Sequence, residues 1–484
     1  MSWRSTLRRP WWLRPGWAAV LPLLLVLPAG SHALAAAADG YGLLARLMSG
    51  SDLERHAAAR QLQESGDRSL VPGLVDAYFF LPRNDRAEAL AVLVALTGEK
   101  AGERYHDWAA LLARRPDLAA RPGYLAWKAG LLARIDRRFL SLLYEGAPVR
   151  IRLEEVVWGG VPVEGIPTLD RPAHVPAAEA GYLTGAERVY GVSLGGETRA
   201  YPLRIVDWHE IVNDVVGGEP VTLSYSSLCG SGVLYSTRSG PGEAYTFGTS
   251  GLLYRANKLM VDRQTGSLWA NLTGEPVIGR LAGGPAPVQG LAVLPVTVTT
   301  WQDWRHRHPE TTVLALDRDM EQRSGFEYQP GAAARKRAGV SFPTGPGGPR
   351  SNALDAGSEV FALRLGGRAK AYPVRKLLAE RVVDDRLGDE PVVVVADPES
   401  GAVRAYRRGE RRFTRGSEAG ELVDGEGRRW TVGEDALLPL AAGPTVAPLP
   451  RVPGHLAFWA GWYAFFPGAE LYGSPAREYH GKSL

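Results

Sequence analysis

One stretch of the chain occurs twice. "VYGVSLGGETRAYPLRIVDWHEIVNDVVGGEPVTLSY" (Val189–Tyr225) aligns without a gap to "VFALRLGGRAKAYPVRKLLAERVVDDRLGDEPVVVVA" (Val360–Ala396). The likeness continues downstream: "MVDRQTGSLW" (Met260–Trp269) answers "LVDGEGRRW" (Leu422–Trp430), and "WQDWRHRHPETTVL" (Trp301–Leu314) answers "WAGWYAFFPGAELY" (Trp459–Tyr472). A repeat of this length is domain-sized. It predicts two copies of one unit, at 188–318 and 358–474, joined by a Gly/Pro/Arg-rich loop at 319–357.

Each copy reads as a mixture of strand and helix. A strand runs into a Gly-Gly hairpin turn, a second strand ends at Tyr-Pro, and proline opens a helix predicted over Pro202 to Asp214. "PVTLSY" is β-branched and strand-like, and a last helix carries Trp-x-x-Trp on one face. Upstream, the pattern from residue 37 to 146 is helical. Ser51 and Glu54 form a capping box, and "YLAWKAGLLARIDRRFLSLL" (Tyr124–Leu143) has apolar positions near a 3.6 period. Paired helices of this length suggest HEAT-type stacking. Residues 147–187 are broken by Gly and Pro and form an extended connector. The expected fold class is α+β: an N-terminal helical segment followed by a duplicated, strand-rich α+β unit.

The first 36 residues have the form of an export signal. Arg4, Arg8, Arg9 and Arg14 precede an apolar run from Trp17 to about Ala29, and Ala33–Ala35 gives a small-x-small cleavage pattern. The run is too short to span a bilayer comfortably. An uncleaved anchor is the alternative. The leader accounts for the net charge: of 56 basic and 52 acidic residues, four arginines and no acid lie in it, which leaves 52 against 52. That balance is no nucleic-acid footprint. "HLAFWAGWYAFF" (His455–Phe466) suits a core helix better than a span, so no stable membrane span is expected after leader removal. The expected location is periplasmic or secreted, and residues 475–484 form a tail.

The chain has a single cysteine, Cys229, so an internal disulfide is impossible. A free thiol in an oxidising compartment must be buried or used. Comparing the copies separates structure from function. Gly195-Gly196, Pro202, Arg204, Asp214, Asp262, Trp269, Trp301 and Trp304 recur in the second copy and are assigned to the fold. Only the first copy has "WHE" (Trp208–Glu210), "SSLCGSG" (Ser226–Gly232) and "FGTSGLLYRANKLM" (Phe247–Met260). Read as one helix, the segment puts His209 on a face with Ile205, Val206, Val212 and Asn213. Read as one strand, Val221, Leu223, Tyr225, Ser227 and Cys229 alternate onto one side. Both put the imidazole and the thiol inside the same unit.

Familiar motifs fail here. "HEIVN" lacks the second histidine of a zinc protease, because Asn213 stands in its place. "CGSG" has no histidine at the papain-like distance, and no Lys-Ser/Thr follows the glycine runs.

The segments "GVPVEGIP", "RAYPLRIVDWHEIVND", "GGEPVTLSYSSLCGSGVLY", "GTSGLLYRANKLMVDRQTGSLW" and "WRHRHPET" together resemble the domain-of-unknown-function 3179 family, from about Tyr105 to Tyr472. The resemblance brings no established activity. Members of that family carry Cys-x-x-Cys at the place of Ser226-Ser227-Leu228-Cys229. A dithiol redox role is therefore closed to this chain.

Three readings follow. His209 and Cys229 ligate a soft metal with Met260 as third ligand; copper suits sulfur with nitrogen, and zinc lacks an evident fourth ligand. Alternatively, Cys229 is a nucleophile with His209 as base. Or the first copy is a non-catalytic binding module, with Glu210, Ser231, Tyr254 and Arg263 as candidate ligand-binding residues. Against all three stand an inert buried thiol and a core histidine bonded to a backbone carbonyl.

Overall fold

A computed structural model describes residues 40–238, 243–255, 257–284, 288–317, 328, 349, 351–440 and 446–474. The expected leader (1–36), the tail (475–484) and most of the expected inter-unit loop (319–327, 329–348 and 350) lie outside the described residues. The fold is mixed α+β, and the described strands form five sheets.

Helices come first: residues 40–49, then Asp52–Ser65, Val71–Phe80, Arg86–Thr97, Tyr105–Arg114 and Tyr124–Leu132. The capping box is present. The Ser51 hydroxyl accepts from the Glu54 amide, and the Glu54 carboxylate accepts from the Ser51 amide at 2.7 Å. Leu62, Leu74, Val92, Leu93 and Trp108 close the core of this segment. The single helix expected over Tyr124–Leu143 is instead two, Tyr124–Leu132 and Phe139–Leu142. Asp136 explains the break: its carboxylate accepts from the Arg138 amide at 2.9 Å, a local bond that competes with helix continuation.

The connector lends one strand to each of three sheets. Val156–Trp158 pairs with Phe247–Tyr254, Leu169–Asp170 with Ile211–Val216, and His174–Pro176 with Thr312–Leu314.

Beyond it, the hairpin Arg188–Leu194/Glu197–Pro202 leads through the helix Leu203–His209 to the antiparallel strands Ile211–Val216, Glu219–Ser226 and Ser231–Ser236. Four strands follow: Phe247–Tyr254, Asn257–Asp262, Leu268–Ala270 and Glu275–Ile278. The chain then returns. Val293–Leu294 pairs with Ser231–Ser236, and Thr297–Thr300 with Arg188–Leu194. After the helix Trp301–Arg307, Thr312–Leu314 runs parallel to Glu197–Pro202.

The C-terminal half has the hairpin Glu359–Leu365/Arg368–Pro373, the helix Val374–Glu380, and the strands Val382–Leu387, Glu390–Ala396 and Val403–Arg407. Four short strands between Phe413 and Pro439 come next. Leu449–Val452 returns to Val403–Arg407, and Gly454–Phe458 to Glu359–Leu365. Glu470–Leu471 runs parallel to Arg368–Pro373 after the helix Trp459–Phe465. Val189 faces Pro202 in one hairpin, as Val360 faces Pro373 in the other.

Three local expectations are corrected. The helix expected to reach Asp214 stops at His209, because Glu210 turns left-handed (φ 60°) and the β-branched run Ile211, Val212, Val215, Val216 forms a strand. Asn213 is therefore a strand residue, not a helix-face neighbour of His209. The strand Glu219–Ser226 ends before Cys229, which sits in a turn with its amide bonded to the Ser226 carbonyl at 3.3 Å. Alternation consequently does not carry through to the thiol. Finally, His455–Phe466 is half strand (Gly454–Phe458) and half helix (Trp459–Phe465). Among the described residues no helix is long and apolar enough to cross a membrane.

The two halves share one core. Tyr190, Val192, Val221 and Leu223 pack in the same cluster as Phe361, Leu363, Val392 and Val394.

Candidate functional site

Glu210 ends a seven-residue helix in the left-handed region, a conformation that costs a non-glycine residue about 1 kcal/mol or more. The turn is held by its carbonyl, which accepts from the Tyr225 amide at 2.7 Å. Arg381 does the same in the C-terminal half, with φ 67° and a 2.7 Å bond from Ala396. The backbone turn is thus common to both halves, while the side chain differs.

In the N-terminal half that carbonyl has a second donor. Lys258 is buried on the strand Asn257–Asp262, and its ammonium donates to the carbonyls of Glu210 and Tyr225, each at 2.6 Å. The Glu210 carboxylate lies 3.7 Å away. Burial pulls the ammonium down to about 8, against the counter-pull of Glu210. Two polar links adjoin it, one at the Glu210 carboxylate and one through its chain neighbour Asn257. The Ser227 hydroxyl donates to Glu210 at 3.3 Å, the Asn257 amide to the Ser231 hydroxyl at 3.2 Å, and the Asn271 amide to the Asn257 oxygen at 3.0 Å. Ser224, Ser231, Asn257 and Asn271 have no exposed surface, whereas Glu210 and Ser227 reach the surface in part.

His209 is fully buried. Its Nδ1 pairs with the Pro167 carbonyl at 2.7 Å and its Nε2 with the Tyr328 hydroxyl. Desolvation lowers its pKa. Both ring nitrogens are therefore engaged by groups other than the Cys229 sulfur. Cys229 is also buried, and desolvation pushes its thiol up to about 12, against an interaction with Ser226. Its carbonyl accepts from the Phe458 amide at 2.7 Å. Met260 packs in an apolar cluster with Trp269, Leu259 and Phe465. This donor set does not converge on a soft metal ion: both imidazole nitrogens are committed to other groups, and the Met260 thioether packs in an apolar cluster. Among the described residues no group of three or more His, Cys, Asp and Glu side chains could hold a metal ion.

The family model for proteins of unknown function DUF3179 matches residues 163–469. The chain belongs to the DUF3179 family. No curated protein and no solved structure matches it.

Of the four candidate ligand-binding residues in this DUF3179 protein, Glu210 belongs to the lysine cluster, and Ser231 is joined to Asn257, the chain neighbour of Lys258, rather than to the ammonium. Tyr254 faces Asn257 across the hairpin, but its ring packs edge-on against Phe465 at 5.5 Å. Arg263 stands apart, paired with Glu164 at 2.5 Å and Asp170 at 2.8 Å, where it ties down the connector. Sequence reasoning missed Lys258, Asn257 and Asn271. The first two lie inside the stretch Phe247–Met260 that only the N-terminal half carries, and a lysine amid apolar strand residues was the available signal.

The Asp–Trp pair recurs in both halves, whereas Arg375, the counterpart of Arg204, is exposed. Asp262 accepts from the Trp269 indole at 2.8 Å, and Asp424 from the Trp430 indole at 3.1 Å. Arg204 pairs with Glu187 at 2.5 Å and donates to the carbonyls of Tyr182 and Tyr328.

Proposed function

We propose that this DUF3179 protein is an exported, non-catalytic binding module. It is built from a duplicated unit (188–318 and 358–474) behind a helical segment (37–146) and a connector (147–187). The first copy carries the ligand site, and the second supports it. The duplication is supported by matching element order, by equal hairpin registers and by the paired Asp–Trp bonds. The arrangement of Asp52–Ser65 and Val71–Phe80 on Arg86–Thr97 is compatible with HEAT-type stacking. Export rests on the leader-like sequence alone.

The observation that carries the binding reading is the Lys258 cluster. With Asp262 aligned on Asp424, Lys258 answers to Gly420, and with the gapless repeat Glu210 answers to Arg381 and Ser224 to Val395. A buried ammonium held by two carbonyls and one carboxylate is costly to keep, so its confinement to one copy points to use. The part-exposed Glu210 carboxylate and Ser227 hydroxyl suit a small molecule that donates hydrogen bonds, such as an amine or polyol. The buried, weakly acidic thiol argues against Cys229 as nucleophile or thiolate ligand.

A thermal-shift panel of small amines, polyols and sugars tests this. A compound should raise the melting temperature of the wild type and not of Glu210→Gln, with both proteins equally folded. Stabilisation that survives the substitution would sink the assignment.

A further inference from the structure

The two halves differ at one sheet edge. In the N-terminal half, Thr312–Leu314 is covered on its outer side by the extended segment His174–Pro176, with Val175 opposite Val313 and Pro176 opposite Thr312. Val175, Ala177, Tyr182 and Leu183 close over Trp301 and Trp304. In the C-terminal half, Glu470–Leu471 stands in the same place: Glu470 is beside Lys370, as Thr312 is beside Arg199. Among the described residues no strand covers it, and the sheet has four strands where the other has five.

A cavity of about 360 Å³ lies along this edge, lined by Trp459, Tyr463, Pro467, Leu471 and Tyr472 with Lys370 and Glu470. Its tryptophan is 2 % exposed, and among the described residues its indole N–H has no acceptor. A strand edge presents unpaired amides and carbonyls, and aromatic-walled grooves beside such an edge accept extended peptides. The charges narrow the choice. Lys370 is 2.8 Å from Asp385 and 3.3 Å from Glu470, and Lys376, 4.8 Å over the Tyr472 ring, pairs with Glu380 at 3.8 Å, so three carboxylates face two ammonium groups.

We infer that this face of the C-terminal half binds an extended, proline-containing peptide of neutral or basic character, added as a fifth strand along Glu470–Leu471. The segment seated on the equivalent edge, His174-Val175-Pro176, is the pattern for its occupant. This site is distinct from the Lys258 cluster and does not depend on it.

The probe is a fluorescein-labelled synthetic peptide with the sequence of residues 171–183, read by anisotropy on the purified full-length protein. A scrambled peptide is the control. The expected result is saturable binding of the native sequence, weakened at least about tenfold by Leu471→Glu and by Tyr463→Ala, with melting curves showing which variants fold. Absence of binding at millimolar protein, equal binding of the scrambled peptide, or binding untouched by both substitutions would overturn the proposal. So would binding that appears only after residues 329–348 are deleted, because the occupant would then be the chain itself.

Discussion

The sulfur of Cys229 fills the space that Gly461 leaves empty. A methyl group built on Gly461 would come 2.5 Å from Sγ and 2.7 Å from Cβ. Cys229 stands in the N-terminal half and Gly461 on the helix Trp459–Phe465 of the C-terminal half, so the only thiol of the chain is a packing contact between halves. Gly461→Ala should destabilise the protein by about 1–3 kcal/mol, the usual cost of overpacking. Cys229→Ala removes the sulfur contact but keeps a Cβ 2.7 Å away, so the double variant should recover only part of that loss; denaturant melts of the four proteins decide it. The native thiol should also resist alkylation at neutral pH and react only on unfolding, since burial holds it near 12.

Glu434 ties the halves together: Arg307 of the N-terminal half lies 3.5 Å from its carboxylate. It is buried with Arg404 at 2.7 Å and Arg451 at 3.2 Å, and it accepts from the Thr297 hydroxyl of the N-terminal half at 2.6 Å. Glu434→Gln leaves two buried guanidinium groups without a counter-charge, which should cost about 3–5 kcal/mol. Thr297→Val removes one neutral donor and should cost about 1 kcal/mol. Equal losses for the two variants in chemical denaturation would show that the ionic cluster contributes no more than an ordinary hydrogen bond.

Buried His455 makes the protein acid-sensitive. Desolvation, reinforced by the positive Arg364, lowers its pKa to about 4 from an ordinary 6.5. In that interval the unfolded chain holds the extra proton, so stability rises with pH and is lost as pH falls from 6.5 through 4. His209 and His174 shift in the same direction. Melting temperature should therefore drop across this range, and His455→Phe should flatten part of the drop. An unchanged slope in the variant would assign the effect elsewhere.

Lys258→Met should be tolerated poorly at neutral pH, because two carbonyls lose their shared donor and Glu210 loses its nearest ammonium; a loss of about 2–4 kcal/mol is expected. The gap should widen between pH 8 and 10.5. There the folded lysine is neutral while the unfolded one is still charged, so the wild type gains stability that the variant cannot. Parallel pH profiles for the two proteins would mean that Lys258 does not titrate in this range.

Much of the α+β character could be read from residues, because turns and caps are local. Ser51 with Glu54, the Gly195-Gly196 hairpin turn and the tryptophans of Trp301–Arg307 each act within a few positions of themselves. What misled was the stretch from Pro202 onward. A helix-opening proline and a polar Asp-Trp-His-Glu run suggest continuation, yet Glu210 turns left-handed because its carbonyl is claimed by Tyr225, fifteen positions later. The site suffered from the same blindness to distance. Tyr328 reaches His209 across 119 positions, and Lys258 reaches Glu210 across 48. No spacing rule carries such information. The nearest signal is the segment Phe247–Met260, which holds Lys258 and has no full counterpart in the C-terminal half.

The common core has a consequence for how the chain is made. Tyr190, Val192 and Leu223 find their partners in Phe361, Leu363 and Val394, which leave the ribosome well over a hundred residues afterwards. A nascent chain halted near residue 317 would display half of an apolar interior with nothing to close it. Half-length products should therefore be degraded rather than accumulate, and synthesis of the whole polypeptide becomes a condition for either half to survive.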